Sequence, residues 1–280
     1  RFRNIHQTSA ADMTSVFNAH FQEPCARHRA LALLVALIVA FVFVLAAAAS
    51  HAAPAKLSGP LAVDGNVTFA TISTPTNALS TRVVFVADKD TNGTPELYSV
   101  PIGGGTVTKL TVLQSLTGST PFRVSPDGAT VVFQATGGTP ALTGLFSVPI
   151  AGGATTPLSG VLVTGGSVSS YAISPDSTRV LFTADKDTLN KKETYSVPIG
   201  GGTLVKLSGT TVTDGNTLLA KFTADSARVL MLADKDVDNV FELFSARSSG
   251  GAAINLSGSL VTGGRVKSVG GSAGGRVHFV

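Results

Sequence analysis

The chain repeats itself at a nearly constant period. Val83, Val131, Val180, Val229 and Val277 each open a V-x-F-like run, at spacings of 48, 49, 49 and 48 residues. Everything from Lys56 onward falls into that register. A period in this range marks stacked, near-identical units, none of which can bury its apolar surfaces alone.

Each copy holds four short apolar runs separated by turn signals. The first (strand a) covers Val67–Ile72, Phe122–Val124, residues 171–173, residues 218–222 and residues 266–269. Strand b covers Arg82–Ala87, residues 130–135, Arg179–Ala184, Arg228–Ala233 and residues 276–280. Strand c covers Glu96–Pro101, residues 145–149, Glu193–Pro198 and residues 242–246, and strand d covers residues 107–110, 155–158, 204–207 and 253–256. Val, Phe, Tyr and Thr dominate these runs, and Gly, Pro, Asp and Ser bound them, so they read as strands. Between a and b lies Ser125-Pro126-Asp127-Gly128, echoed by Ser174-Pro175-Asp176-Ser177. Pro at the second position and Asp at the third predict a type I turn. Gly-rich turns join c to d. Strand b is apolar at consecutive positions (Val83, Val84, Phe85, Val86, Ala87). A sheet solvated on one side would alternate, so this pattern predicts cover on both faces. Four-stranded antiparallel sheets packed face to face make an all-β fold, the β-propeller. Four complete blades and part of a fifth are expected.

The pattern S-P-D-G-x-x-V-x-F, a polar hairpin, E-L-Y-S-V-P, G-G and K-L-S resembles the TolB-type, WD-like propeller repeat of exported bacterial proteins. The resemblance covers residues 56–280. It implies the fold and no particular activity. TolB's own α/β domain has no counterpart between residues 53 and 56, so its lipoprotein partner is not carried over. Lys56-Leu57-Ser58 reads as a lone strand d, and the last strand b stops before its hairpin. The chain is then a piece of a longer propeller, or its two ends complete a fifth blade; the first reading is favoured because nothing terminates the last strand.

Residues 1–53 read as a leader and residues 54–280 as the propeller. Residues 30–49 are continuously apolar, preceded by Arg27, His28 and Arg29 and followed by Ser50, His51, Ala52 and Ala53. That is the layout of an export signal, with cleavage expected after Ala52. A stretch of this length can alternatively stay as a membrane anchor. Either way a periplasmic or extracellular location is expected. Cys25, the chain's one cysteine, precedes the apolar run, so the propeller has no thiol chemistry. The net charge of +4 divides evenly between leader and propeller. A propeller that nearly neutral has no electrostatic footprint for nucleic acid.

The b–c hairpin is the most polar feature. The first copy places Asp88, Asp90, Asn92 and Glu96 at positions 1, 3, 5 and 9, and the fourth places Asp234, Asp236, Asp238 and Glu242 there. With Gly93 or Asn239 at position 6, these match the first nine positions of a calcium loop. The third copy has Leu189 at position 5 and is expected to bind poorly; the second has lost its acids. Position 12 carries Ser99, Ser196 or Ser245 rather than the bidentate Glu of a full loop. The plain alternative is a solvated turn, with Lys89, Lys186 and Lys235 offsetting the acids. The topology places the b–c hairpins and the d–a connections, with Asp64 and Asp214, on one face.

Catalytic candidates are few. Gly270-Gly271-Ser272-Ala273-Gly274 matches G-x-S-x-G, but a nucleophile elbow needs a helix after the strand and a strand follows here. The propeller's one histidine is His278. The aromatic columns (Phe85, Phe133, Phe182, Phe279; Tyr98, Phe146, Tyr195, Phe244) read as packing between blades. Arg82, Arg179, Arg228 and Arg276 are expected to snorkel at the sheet edge. The expected function is a non-enzymatic exported scaffold for an unidentified protein or envelope component, contacting membrane only through residues 30–49. The alternatives are a calcium-stabilised binding module, or the access-gating propeller of a prolyl-oligopeptidase-like hydrolase, which the same repeat resemblance allows.

Overall fold

A computed structural model describes residues 55–73, 81–111, 115–116, 122–137, 142–271 and 277–279. Residues 1–54, which hold the expected export signal and Cys25, lie outside these residues, as does Ser272.

The period seen in the sequence becomes a series of antiparallel sheets. The first comprises β1 (Val67–Ile72), β2 (Arg82–Ala87), β3 (Glu96–Pro101) and β4 (Thr108–Lys109), in that order. The second contains β5 (Ser115–Leu116), β6 (Phe122–Val124), β7 (Thr130–Gly137), β8 (Leu142–Pro149) and β9 (Thr156–Pro157). Its inner strand is split, so β5 and β6 both pair with β7. The third is β10 (Val168–Ile173), β11 (Arg179–Ala184), β12 (Glu193–Pro198) and β13 (Val205–Lys206). The fourth is β14 (Thr217–Phe222), β15 (Arg228–Ala233), β16 (Glu242–Arg247) and β17 (Ile254–Asn255). A hairpin of β18 (Val269–Gly271) and β19 (Val277–Phe279) begins a fifth.

Packing between the sheets follows from strand b. Val84, Val86 and Leu97 of the first sheet share a buried cluster with Phe122, Val131, Phe133, Phe146 and Val148 of the second. Val132, Leu145 and Leu158 meet Tyr171, Val180, Phe182 and Tyr195 of the third. Leu181 and Leu207 meet Val229, Met231 and Phe244 of the fourth. Leu230, Leu232 and Leu243 meet Val266 and Val269. Alternate residues of β7, β11 and β15 therefore face the preceding and the following sheet, as cover on both faces requires. The molecule is an all-β propeller with four blades and part of a fifth. Phe85–Tyr98, Phe133–Phe146 and Phe182–Tyr195 are stacked cross-strand pairs with centroids 5.6, 5.8 and 5.3 Å apart; the second and third pack between blades as expected, whereas the first packs on Leu57 and Leu61.

Three strand expectations need correction. Lys56-Leu57-Ser58 is not a strand. Every strand d pairs with the strand c of its own blade, and no described strand c precedes Lys56; Leu57 instead packs with Leu61 on Phe85, Tyr98 and Val100. The last strand a starts at Val269 rather than Val266, because the register Val269↔Phe279 leaves residues 266–268 without a described partner. The Val266 N–H turns to the Phe241 carbonyl of the fourth blade, 2.8 Å away. Third, β5 is an added strand that a four-strand reading lacks.

The S-P-D-G turn forms as expected, with the Gly128 N–H donating to the Ser125 carbonyl at 2.8 Å. Ser177 and Ser226 stand where Gly128 does, at φ of 64° and 60°. That left-handed backbone costs a residue with a Cβ about 1–2 kcal/mol. Here the serine hydroxyls serve the neighbouring blade: the Asp127 N–H donates to Ser177 Oγ at 2.9 Å, and the Asp176 N–H to Ser226 Oγ at 3.0 Å. A hydrogen bond contributes about 0.5–1.5 kcal/mol net, which nearly offsets the backbone cost. Ser177→Ala keeps the strained backbone and loses the bond, so urea denaturation should show a loss of about 1 kcal/mol. Ser177→Gly loses the bond and relieves the backbone, so its stability should stay close to that of the parent.

Candidate functional site

Each acidic hairpin is locked to the d–a loop of its own blade. Asp88 accepts the Asn66 N–H on one carboxylate oxygen and the Gly93 N–H, at 3.1 Å, on the other. Asp185 accepts from Ser167 at 2.5 Å and Asn190 at 3.4 Å; Asp234 accepts from Asn216 at 2.5 Å and Asn239 at 3.0 Å. The backbone reinforces the clamp. The N–H groups of Asp88, Asp185 and Asp234 each donate at 3.2 Å to the carbonyls of Asn66, Ser167 and Asn216, and the carbonyls of Lys186 and Lys235 accept the N–H groups of Val163 and Val212. Gly65, Gly166 and Gly215 permit this approach: a Cβ at Gly166 would lie 2.4 Å from the Asp185 carbonyl oxygen. The d–a connections and b–c hairpins thus share one rim, as the topology implied.

The N–H groups of Asn66 and Gly93 hold the Asp88 carboxyl below its ordinary value of 3.8. For Asp185, burial favours the neutral form, but the N–H groups of Ser167, Asp185 itself and Asn190 outweigh it, and the value is again lowered.

The remaining acids at the expected calcium positions have partners of their own. In the first hairpin Lys109 Nζ lies 3.0 Å from Asp90 and 2.7 Å from Glu96, and Glu96 also accepts the Tyr98 hydroxyl at 2.7 Å. Asn92 is exposed. In the fourth hairpin Asp236 pairs with Lys235 at 2.8 Å and Asp238 accepts from the Asn239 side chain at 2.8 Å. Glu242 accepts from Asn255, which stands where the first blade has Lys109, at 2.8 Å. Among the described residues no three His, Cys, Asp or Glu side chains converge as a metal-binding group. The third hairpin carries the tightest pairing: buried Glu193 meets Lys206 at 2.5 Å, and the Tyr195 hydroxyl lies between Glu193 (3.0 Å) and Asp187 (2.9 Å).

Two sets of residues escaped the sequence reading. The serines at position 12 are not spare ligands but buried links. Arg82 Nε and Nη2 donate to Ser99 Oγ at 3.2 and 3.0 Å, and Ser99 Oγ donates to the Ile150 carbonyl of the next blade at 2.5 Å. Arg179–Ser196 and Arg228–Ser245 repeat the first step at 2.9 and 2.6 Å, and Ser147 repeats the second, to Ile199, at 2.7 Å. These arginines therefore do not simply snorkel; they orient a buried hydroxyl. The signal was the joint recurrence of Arg at the start of strand b and Ser in E-L-Y-S. The second set is Thr111, Ser159, Ser208 and Ser257 of the K-L-S motif. Their hydroxyls accept the N–H groups of Leu97, Leu145, Thr194 and Leu243 at 3.2, 3.1, 3.4 and 3.2 Å. Gly270 and Gly271 of the G-x-S-x-G match lie in β18, which pairs antiparallel with β19. Ser272 itself lies outside the described residues.

No family model matches the chain, and no curated protein matches it. Several solved structures resemble it. The putative TolB from Agrobacterium tumefaciens is 19% identical with a TM-score of 0.38, over 63% of this chain and 61% of that one. TolB from Acinetobacter baumannii is 16% identical with a TM-score of 0.40, over 70% and 45%. A prolyl endopeptidase reaches a TM-score of 0.49 at 12% identity, over 77% and 32%. This chain thus spans less than two thirds of the length of each. Identities this low indicate likeness of fold alone.

The clamp predicts an acid-sensitive fold. A carboxyl whose folded value is lowered contributes its full stability above the unfolded value, about 3.9, and loses it as the pH falls through the lowered folded value. Thermal melts of the parent should drop steeply below about pH 4. Asp185→Asn should melt lower at pH 7 and should approach the parent at low pH, where the parent carboxyl is also neutral.

Proposed function

We propose that this protein is an exported, non-catalytic propeller whose hairpin rim is a contact surface for a protein or envelope component. One observation carries the reading. Three blades use the same Asp clamp to hold the rim, yet the tips differ: Thr91-Asn92, Thr188-Leu189 and Val237-Asp238. Leu189 and Val237 are exposed apolar side chains at 46% and 56%. A rigid frame with variable, exposed tips suits binding rather than turnover. The apolar run at 30–49 and its flanks support delivery beyond the cytoplasm.

The test is capture from an envelope extract by the folded chain. A discrete partner should be retained by the parent and lost on the Leu189→Asp, Val237→Asp double variant, whose melting temperature should not change. Capture of nothing, or equal capture by the variant, contradicts the proposal.

A second reading keeps calcium in the hairpins, because the sharp turn at position 6 is present, with Gly93 at φ 76° and Asn239 at φ 60°. Of the two candidate loops the fourth suits a cation better. Asn255 replaces the ammonium that holds Asp90 and Glu96 together in the first. Asp234, Asp236, Asp238 and Glu242 would supply the oxygens. A ligand that binds only the folded form raises its stability. The melting temperature should therefore rise with millimolar calcium over chelator, and Asp238→Asn should remove the rise; an unchanged melting temperature disposes of the calcium reading.

A further inference from the structure

The junction between the third and fourth blades carries hydroxyls where its neighbours carry aliphatic side chains. Strands b and c pair at one recurring position: Val86 with Leu97, Gln134 with Leu145, Thr183 with Thr194 and Leu232 with Leu243. Leu181 packs on the fourth blade, and Thr183, two residues on, shares its face. At the second–third junction Leu145 is buried with Val168, and beyond the fourth blade Leu243 is buried with Val266. Thr194 and Thr217 stand at those two positions between the third and fourth blades.

The backbone brings the two threonines together. The Thr217 N–H donates to the Lys192 carbonyl at 2.7 Å, just as the Val266 N–H donates to the Phe241 carbonyl at 2.8 Å. Leu243, two residues past Phe241, meets Val266. Thr194, two residues past Lys192, meets Thr217 in the same way. Thr194 is 0% exposed and Thr217 2%. Among the described residues, their Oγ1 atoms are the buried side-chain oxygens that no protein group bonds. A buried hydroxyl without a partner carries the full cost of its lost hydration. Two of them at one junction call for one shared partner.

Size and reach say what that partner is. Thr183 and Thr194 are smaller than Gln134 and Leu145, or Leu232 and Leu243, which fill the same places. At the second–third junction Gln134 Nε2 crosses between the blades and donates to the Val168 carbonyl at 3.3 Å. Thr183, in the place of Gln134, is too short for that. We propose that one buried water molecule is bound between the third and fourth blades, bridging Thr194 Oγ1 and Thr217 Oγ1. Each hydroxyl can donate and accept. The Thr217 carbonyl, which stands where the Val168 carbonyl receives Gln134, offers a third bond. A buried water typically makes about three. The bound water turns an apolar contact into a polar link found at this junction alone among those compared.

Crystallography of the full chain at water-resolving resolution should show an ordered water within hydrogen-bond distance of both hydroxyls; a dry junction overturns the site. Thermal melts give an independent test. Thr194→Val and Thr217→Val each keep the side-chain shape and remove one hydroxyl. If the hydroxyls hold a water, each variant should melt about 2–4 °C lower. If they are merely unpaired, removing one relieves a cost, so an unchanged or raised melting temperature overturns the site. The Thr194→Val, Thr217→Val double variant loses a single bridge, so its shift should be smaller than the sum of the two single shifts. Strictly additive shifts would mean that the hydroxyls act separately, which contradicts a shared water.

Discussion

Everything in this fold depends on a central strand that is apolar on both faces. In β11 the residues after Arg179 are all buried, and β15 repeats the pattern. A strand of this kind cannot be solvated on either side. Its blade is stable only between two others, and the hydrophobic burial that dominates folding free energy is placed between blades as well as within them. Phe133 and Val132 show the division: adjacent in sequence, they are buried in different clusters, one against the first blade and one against the third.

Polar chemistry then sets the register that packing leaves loose. The Arg82–Ser99 relay ties strands b and c and reaches the next blade, a step that Ser147 makes without an arginine. Ser177 and Ser226 join successive a–b turns. The Asp clamp joins the hairpin to the d–a loop on the opposite rim. Buried polar groups cost heavily unless bonded, so these links specify one arrangement of the blades against its alternatives. The same economy shapes the functional rim. Its recurrent aspartates hold the backbone, which leaves the variable tips as the surface open to other molecules.

Much of this was legible in the residues. Strands b and c of the first and third blades, Arg82–Ala87, Glu96–Pro101, Arg179–Ala184 and Glu193–Pro198, run where the apolar pattern put them, because strand b is covered on both faces and its turns are marked by Pro, Asp and Gly. Strand d was read too long, as 107–110 against Thr108–Lys109, because an apolar residue such as Leu110 is buried as readily beyond a ladder as in it. The inner strands were harder. Their residues face the core only in part, as the exposure of Val67, Phe69 and Leu218 shows, so periodicity does not mark where pairing begins. At the rim, the spacing of Asp88, Asp90 and Asn92 suggested a cation loop, but one of the two N–H groups that hold Asp88, that of Asn66, comes from the d–a loop more than twenty residues away. No local pattern reveals a clamp that only the folded backbone assembles. Ser99 was visible as a recurrence and silent as to role for the same reason.

Amide hydrogen exchange followed by mass spectrometry tests the sandwiched central strand most directly. The account predicts that β7, β11 and β15 exchange last and together, with protection near that of global unfolding, while β4, β9, β13 and β17 exchange early. Central strands that exchange as fast as these outer strands, or that open one blade at a time under native conditions, would contradict it.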